Sequence, residues 1–367
     1  MGEKKRYIQL DALKGLSAII IACFYHLGTV PFPYENGLPL QNNLIVRSAY
    51  INGGYLVELF FLISGFLSYA IYQKKIEEGM KLGVYIKKRL VRIYPLLWIT
   101  LLFTLLGTIV YAGFQPGETF YQLSNNTVLT FGLGILGLQD LFYIGQSWNC
   151  PAWTITHFIV CWIIFWWIVH LSGKRRDIVF FFTAMMIAFG CYYQIWDEKD
   201  IFLLNYGFSR GCIAFFTGGF VWLIQSVVGE ERKRKDRAVI SSIVWLGLLL
   251  CVRLTVVENA YPSASCSLFL FPAVMLIVMN GRILEKILCN KFFSFIGEIS
   301  FSLYLCNYPV QVFIACLYRY TSFEMKASSA AFLLFHAVLN IIVAIVVHYA
   351  AEKWLRRRLL DTVGSVV

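Results

Sequence analysis

The sequence predicts an all-α, polytopic transmembrane helical bundle of about ten spans with both termini cytoplasmic. Three observations predict it. The 367 residues are 59% hydrophobic and only 14% charged, where a soluble domain carries roughly 25% charge. Apolar runs recur along the whole length, each near the roughly 20 residues that cross a bilayer. The 32 Lys and Arg residues fall in short clusters between those runs, the distribution that the positive-inside rule describes. Mean hydropathy is +0.66, and no stretch is left over that would hold a soluble core. The chain is therefore read as one integral membrane domain over 1–367, a multi-pass protein of a cell membrane.

Spans are expected near 8–30, 48–72, 92–113, 151–171, 177–196, 204–228, 238–256, 267–281, 293–318 and 328–352. The opening Lys4-Lys5-Arg6 and the apolar run from Leu16 to Val30 have the form of a signal peptide. No small-residue cleavage site follows, and further spans do, so the run is read as a retained first span. The stretch 124–147 is apolar too, and charge decides how to count it. If the amino terminus is inside and 114–150 does not cross, the inside segments are 1–7, 73–92, 172–177, 229–237, 282–292 and 353–367. They hold 25 of the 32 Lys and Arg residues. Were 124–147 to cross, Lys174-Arg175-Arg176 and Arg232-Lys233-Arg234-Lys235 would face outward. The segment 114–150 is thus expected to be a long outer segment that re-enters. The net charge of +11 belongs to this topology, with membrane lipid as its partner and not nucleic acid.

The ten cysteines lie mostly within apolar runs, with no CxxC, and there buried thiols act as small hydrophobes. Cys150 and Cys266, near loops, are the exceptions. No GxxxxGK[ST], HExxH or GxSxG motif is present. His348 and Glu352 stand four apart, but two ligands are weak grounds for a metal, and no metal is expected.

Ionisable groups within spans are expensive and mark candidate sites. His26 lies near the outer end of the first span. Neutral imidazole serves as a general base near neutral pH, and the alternative is a hydrogen-bonded structural histidine. Glu58 sits in an otherwise uncharged run, Gly53 to Leu67, at a comparable expected depth. A buried carboxylate needs a partner. Pairing with His26 would meet that need and orient the imidazole, while the alternative is a carboxylate facing outer-side water. The run Lys87-Lys88-Arg89-Leu90-Val91-Arg92-Ile93-Tyr94-Pro95 opens the third span. It is either a topology anchor on anionic lipid or a phosphate site, since the Arg fork matches phosphate oxygens. Lys14 lies at the same expected level, about 18 Å along a helix from His26 at 1.5 Å per residue. That separation suits an elongated donor with an anionic head at the cytoplasmic face.

Four stretches together resemble the membrane acyltransferase-3 family, which includes O-acetylases of bacterial surface polysaccharides. They are Leu10-Asp11-Ala12-Leu13-Lys14-Gly15 with Tyr25-His26, Val57 to Phe66, Arg89 to Pro95, and Gly297 to Leu305. The chain departs from the family at three points. Lys14 replaces an Arg, with one residue more before His26. Asn307 stands where a His usually ends the late motif. Trp153-Thr154-Ile155-Thr156-His157 replaces a motif that carries Glu.

The resemblance implies an acyl-CoA donor, most often acetyl-CoA, and a hydroxyl acceptor on a saccharide or lipid-linked glycan. It implies that Lys14, Arg89 and Arg92 hold donor phosphates. His26, oriented by Glu58, would act as base on the acceptor hydroxyl or transiently carry the acyl group. Ser64, Trp153, Arg210, Tyr304 and Asn307 are expected around the substrate. The alternative from another class is a carrier of a small substrate such as an amino acid, since intramembrane charge and a long outer segment suit transport as well.

Overall fold

The computed structural model describes residues 7–29, 38–112, 126–142, 147–195, 202–227, 245–249 and 262–364. Helix α1 (Ile8–Ile20) continues through a π-helical turn, Ile21–Tyr25, into α2 (His26–Thr29). Helix α3 (Leu44–Asn52) is capped by the Asn43 side chain and leads through a short 3₁₀ turn into α4 (Leu56–Glu77). There follow α5 (Leu82–Ala112), the short α6 (Val128–Ile135), α7 (Trp153–Ser172), α8 (Arg176–Ile195) and α9 (Tyr206–Val227). Helices α10 (Pro262–Ser265) and α11 (Phe271–Asn280) flank a second π turn. After α12 (Arg282–Leu288) and α13 (Lys291–Tyr320), α14 (Ala330–Val346) passes through a third π turn, Val347–Glu352, into α15 (Lys353–Gly364).

Among the described residues, nine helical stretches are long and apolar enough to cross a membrane, and no β-strand occurs. The architecture is the expected all-α polytopic bundle. The expected span at 238–256 lies outside the described residues except for 245–249.

Two compact units interleave along the chain. The first comprises Met1–Lys14, Val57–Ile86 and His157–Gly297. Its centre is a crossing of α4 and α9, which run parallel from Glu58–Arg210 to Tyr69–Gly219, so close that only glycine fits. A Cβ on Gly65 would fall on the Phe215 carbonyl, and one on Gly218 would fall on the Leu62 carbonyl. Small residues drive helix association in lipid, where no hydrophobic effect separates one apolar face from another. Around this contact Phe61 stacks on Phe158 at 4.1 Å between ring centroids. The Tyr69 and Thr183 hydroxyls meet at 2.6 Å.

The second unit comprises Gly15–Leu56, Lys87–Thr156 and Glu298–Val367. In it α5 and α13 run parallel. Asn149 bridges Thr100 to Leu305, Gly107 abuts Val312, and the Tyr320 hydroxyl donates to the Tyr111 carbonyl, so both numberings rise together. The ten-span count requires this arrangement, because it makes α5 the third span and α13 the ninth.

The same unit contains the described part of the 124–147 stretch. Trp148 N–H donates to Asn126 Oδ1 at 2.6 Å, and its indole Nε1–H donates to the Thr127 carbonyl at 3.1 Å. Trp148 and the residues just before α6 therefore meet. Trp148 makes these contacts with φ of 32°, a left-handed conformation that non-glycine residues rarely adopt. Helix α6 ends on carbonyls that have no helical partner of their own. Tyr94 OH donates to the Leu136 carbonyl at 2.8 Å and Trp98 Nε1 to the Ile135 carbonyl at 2.9 Å. Tyr94 of the Arg-rich motif thus caps α6.

Candidate active site

His26 is presented by the π turn. Its backbone N–H donates to the Ile21 carbonyl, five residues back, and such turns recur at functional positions in helices. The turn also changes which way His26 faces. Twelve α-helical steps from Lys14 would put the two side chains roughly 120° apart around the axis. With one residue absorbed in the wider turn, eleven effective steps leave them within roughly 20°. The extra residue between Lys14 and His26 is thus taken up locally. Gly53 and Gly54 leave the space that the Tyr25 ring fills beside it.

The imidazole is held by a chain of amides from α13 and α14. His26 Nδ1 lies 2.8 Å from Asn307 Oδ1. Asn307 Nδ2 donates to the Ala22 carbonyl at 2.6 Å and to Asn340 Oδ1 at 3.3 Å. Asn340 Nδ2 in turn donates to the His336 carbonyl and meets His336 Nε2 at 3.2 Å. The Ala22 carbonyl can only accept, so the Asn307 amide has one sensible orientation: nitrogen towards Ala22, oxygen towards His26. His26 must then carry its proton on Nδ1, which leaves the lone pair on Nε2, the form a general base needs. The Tyr304 ring lies 6.0 Å from that of His26, and its hydroxyl donates to the Pro151 carbonyl at 3.0 Å.

Glu58 does not pair with His26 as the sequence suggested. Arg210 Nε donates to its Oε1 at 2.8 Å and Arg210 Nη2 to its Oε2 at 2.9 Å, while the Ser263 hydroxyl adds a 2.6 Å bond to Oε1. Glu58 is 0% exposed. A carboxylate taken wholly out of water needs a full opposite charge and hydrogen bonds for its lone pairs. The bidentate guanidinium supplies both, and a neutral imidazole does not. Arg210, expected near the substrate, is therefore the partner of Glu58 within the first unit.

The remaining expected residues are placed as follows. Ser64 accepts from Trp162 Nε1 at 3.2 Å and packs within the first unit. Trp153 is partly buried at the amino end of α7. Arg89 is buried and Arg92, one turn on, is exposed, so the two do not contribute equally to the surface of α5. Lys14 pairs with Asp11 at 2.6 Å, three residues back, and stays partly exposed.

Sequence reading missed two features. Asn340 and His336 extend the His26 network, and an amide four residues from a histidine in an apolar helix was the only trace of it. The second is an ionisable group on α13 and the third π turn. Ser302 Oγ and His348 Nδ1 both meet Glu352 Oε2, at 2.7 and 2.8 Å. Glu298 accepts from Lys353 at 2.6 Å and lies 3.4 Å from His348 Nε2. His348 and Glu352 thus serve an internal ion-pair network. Among the described residues no group of three or more side chains is arranged to hold a metal ion.

No curated protein and no solved structure matches the chain. The family model described as an acyltransferase domain matches residues 7–349. That match takes in α1, the π turn with His26, the Arg89 to Pro95 motif and all of α13. The chain belongs to the acyltransferase-3 family and is a multi-pass membrane acyltransferase.

Proposed function

We propose that the protein moves an acyl group, acetyl in the first instance, from cytoplasmic acyl-CoA to a hydroxyl of a cell-surface saccharide or lipid-linked glycan in a bacterial cell membrane. The observation that carries this reading is the His26 tautomer set by Asn307. His26 Nε2 takes the proton of the acceptor hydroxyl as its oxygen attacks the thioester carbonyl. The carbon–sulfur bond breaks, the acyl group remains on the acceptor oxygen, and the imidazolium returns the proton to the departing thiolate. A positioned base supplies typically 10²–10⁴-fold, so holding donor and acceptor in register must supply much of the rest.

Arg89 and Arg92 hold the donor's phosphates at the amino-terminal part of α5, with Lys14 serving the same head group. The Glu58–Arg210 pair acts as a positioning element and leaves proton transfer to His26. Comparing surface glycans by mass spectrometry with and without the gene tests the proposal. An acyl ester present only with the gene supports it. Unchanged glycans, together with substrate uptake that consumes no acyl-CoA, would instead indicate a carrier.

A further inference from the structure

Helix α13 carries Tyr304, Asn307 and Gln311 at positions i, i+3 and i+7, which places them on one face. The first two contact Pro151 and His26. Gln311 is 0% exposed, and neither its Nε2 nor its Oε1 has a hydrogen-bond partner. The amide is thus buried with both of its polar atoms unused. A buried amide in that state is costly.

A second unused oxygen lies in the turn that precedes α7. Asn149, also 0% exposed, spends its Nδ2 on Thr100 Oγ1 and the Leu305 carbonyl, and its Oδ1 has no partner. Leu305 adjoins Tyr304 and lies two residues before Asn307, so Asn149 and His26 are both fastened to one turn of α13. Gln139, whose Nε2 donates to the Asn149 carbonyl at 3.2 Å, has an unpartnered Oε1 as well.

We propose that Gln311 and Asn149 form the acceptor subsite, binding hydroxyl groups of a polyhydroxylated acceptor beside His26. This rests on the acyl-transfer reading above. Carbonyl oxygens accept from O–H, and the Gln311 amide nitrogen donates to a hydroxyl oxygen, so a hydroxylated ligand matches both kinds of atom. All of these atoms are neutral and three of the four are acceptor oxygens, which suits a sugar or polyol and repels a phosphate or carboxylate. The turn before α7 would then determine acceptor choice, and Gln311 is a binding residue in its own right.

Purified full-length protein with radiolabelled acetyl-CoA and a molar excess of methyl α-glucoside as the probe acceptor tests this. Three quantities are read: CoA thiol release, label on the sugar against label in acetate, and thermal stability. Wild type should acetylate the sugar beyond what the ratio of sugar hydroxyls to water would give. In Gln311→Leu, and in Gln311→Met as a second apolar replacement, sugar ester per CoA released should fall at least about tenfold, the loss of roughly one hydrogen bond. CoA release in water alone should persist, and the melting temperature should hold or rise, because an unused buried amide is gone. An unchanged sugar-to-acetate ratio would overturn the proposal, assigning the amide to ordered water or to nothing. A lower melting temperature with both activities lost would overturn it in favour of a structural amide, and a wild type with no preference for sugar over water would overturn it as well. Wild-type protein that consumes no acetyl-CoA would instead sink the acyl-transfer reading itself, and this proposal with it.

Discussion

Asn307 Oδ1 lies 2.8 Å from His26 Nδ1 while Asn307 Nδ2 donates to the Ala22 carbonyl of the π turn before His26. One amide therefore fixes both the tautomer of the imidazole and the position of the turn that carries it. Asn307→Leu should lower kcat roughly 100-fold, the cost of misplacing a reacting group, with the KM for acyl-CoA little changed. Asn307→His offers one accepting and one donating nitrogen and should retain more activity than Asn307→Leu. Steady-state kinetics with acyl-CoA varied separates the outcomes. Equal losses in kcat and in donor affinity would remove Asn307 from the positioning role.

The Glu58–Arg210 pair makes a stability prediction. Removing one partner of a buried pair leaves an uncompensated charge and costs about 3–5 kcal/mol. Arg210→Met should therefore lower thermal stability strongly in detergent, and Glu58→Gln/Arg210→Met should recover much of the loss. If the single and double variants melt alike, the pair does not account for Glu58.

The span pattern was legible because lipid thickness and the positive-inside rule act on composition, which the sequence displays directly. The expectation that 124–147 does not cross rests on charge alone. The contacts that hold its described part, Trp148 with Asn126 and Tyr94 with Leu136, are separated by 22 and 42 residues and follow no helical period. His26 stood out because a lone imidazole in an apolar run is costly. Its partner was misassigned because Glu58 was the only carboxylate in a neighbouring uncharged run, and sequence spacing does not reveal that Glu58 is bound by Arg210, 152 positions away. The π turn was invisible for a related reason: its one trace was a spacing one residue too long, which looked like a defect.

Burial separates the two arginines of α5. A Lys at either position keeps the charge but loses the planar fork. Each lost charged hydrogen bond is worth about 1.5–3 kcal/mol, or roughly 10- to 100-fold in donor affinity. Arg89→Lys, at the buried position, should raise the KM for acyl-CoA more than Arg92→Lys, at the exposed one, with acceptor dependence unchanged in both. Identical donor curves for wild type and Arg89→Lys/Arg92→Lys would make the cluster a charged anchor.

The parallel run of α5 and α13 puts their amino ends on one side, and the charge pattern predicts that side to be cytoplasmic. Cys289, just before α13, is exposed. Its thiol is pushed up first by partial burial and then by Glu285, so labelling calls for mildly alkaline buffer. Gly83, at the start of α5, has open space around it and should accept a cysteine. Gly83→Cys and Cys289 should both resist an impermeant maleimide in intact cells and both react once the inner face is opened. Labelling of only one from outside would contradict the parallel arrangement, and labelling of both would invert the topology.

The central claim is that His26 is the base for acyl transfer, and the most direct measurement is label transfer from radiolabelled acetyl-CoA in membranes containing wild-type or His26→Ala protein at equal expression. The account predicts acetyl ester in the glycan fraction with wild type. With His26→Ala it predicts a loss of at least about 100-fold, the low end of what a positioned base contributes, while α1 inserts normally. Transfer by His26→Ala at near the wild-type rate would contradict it.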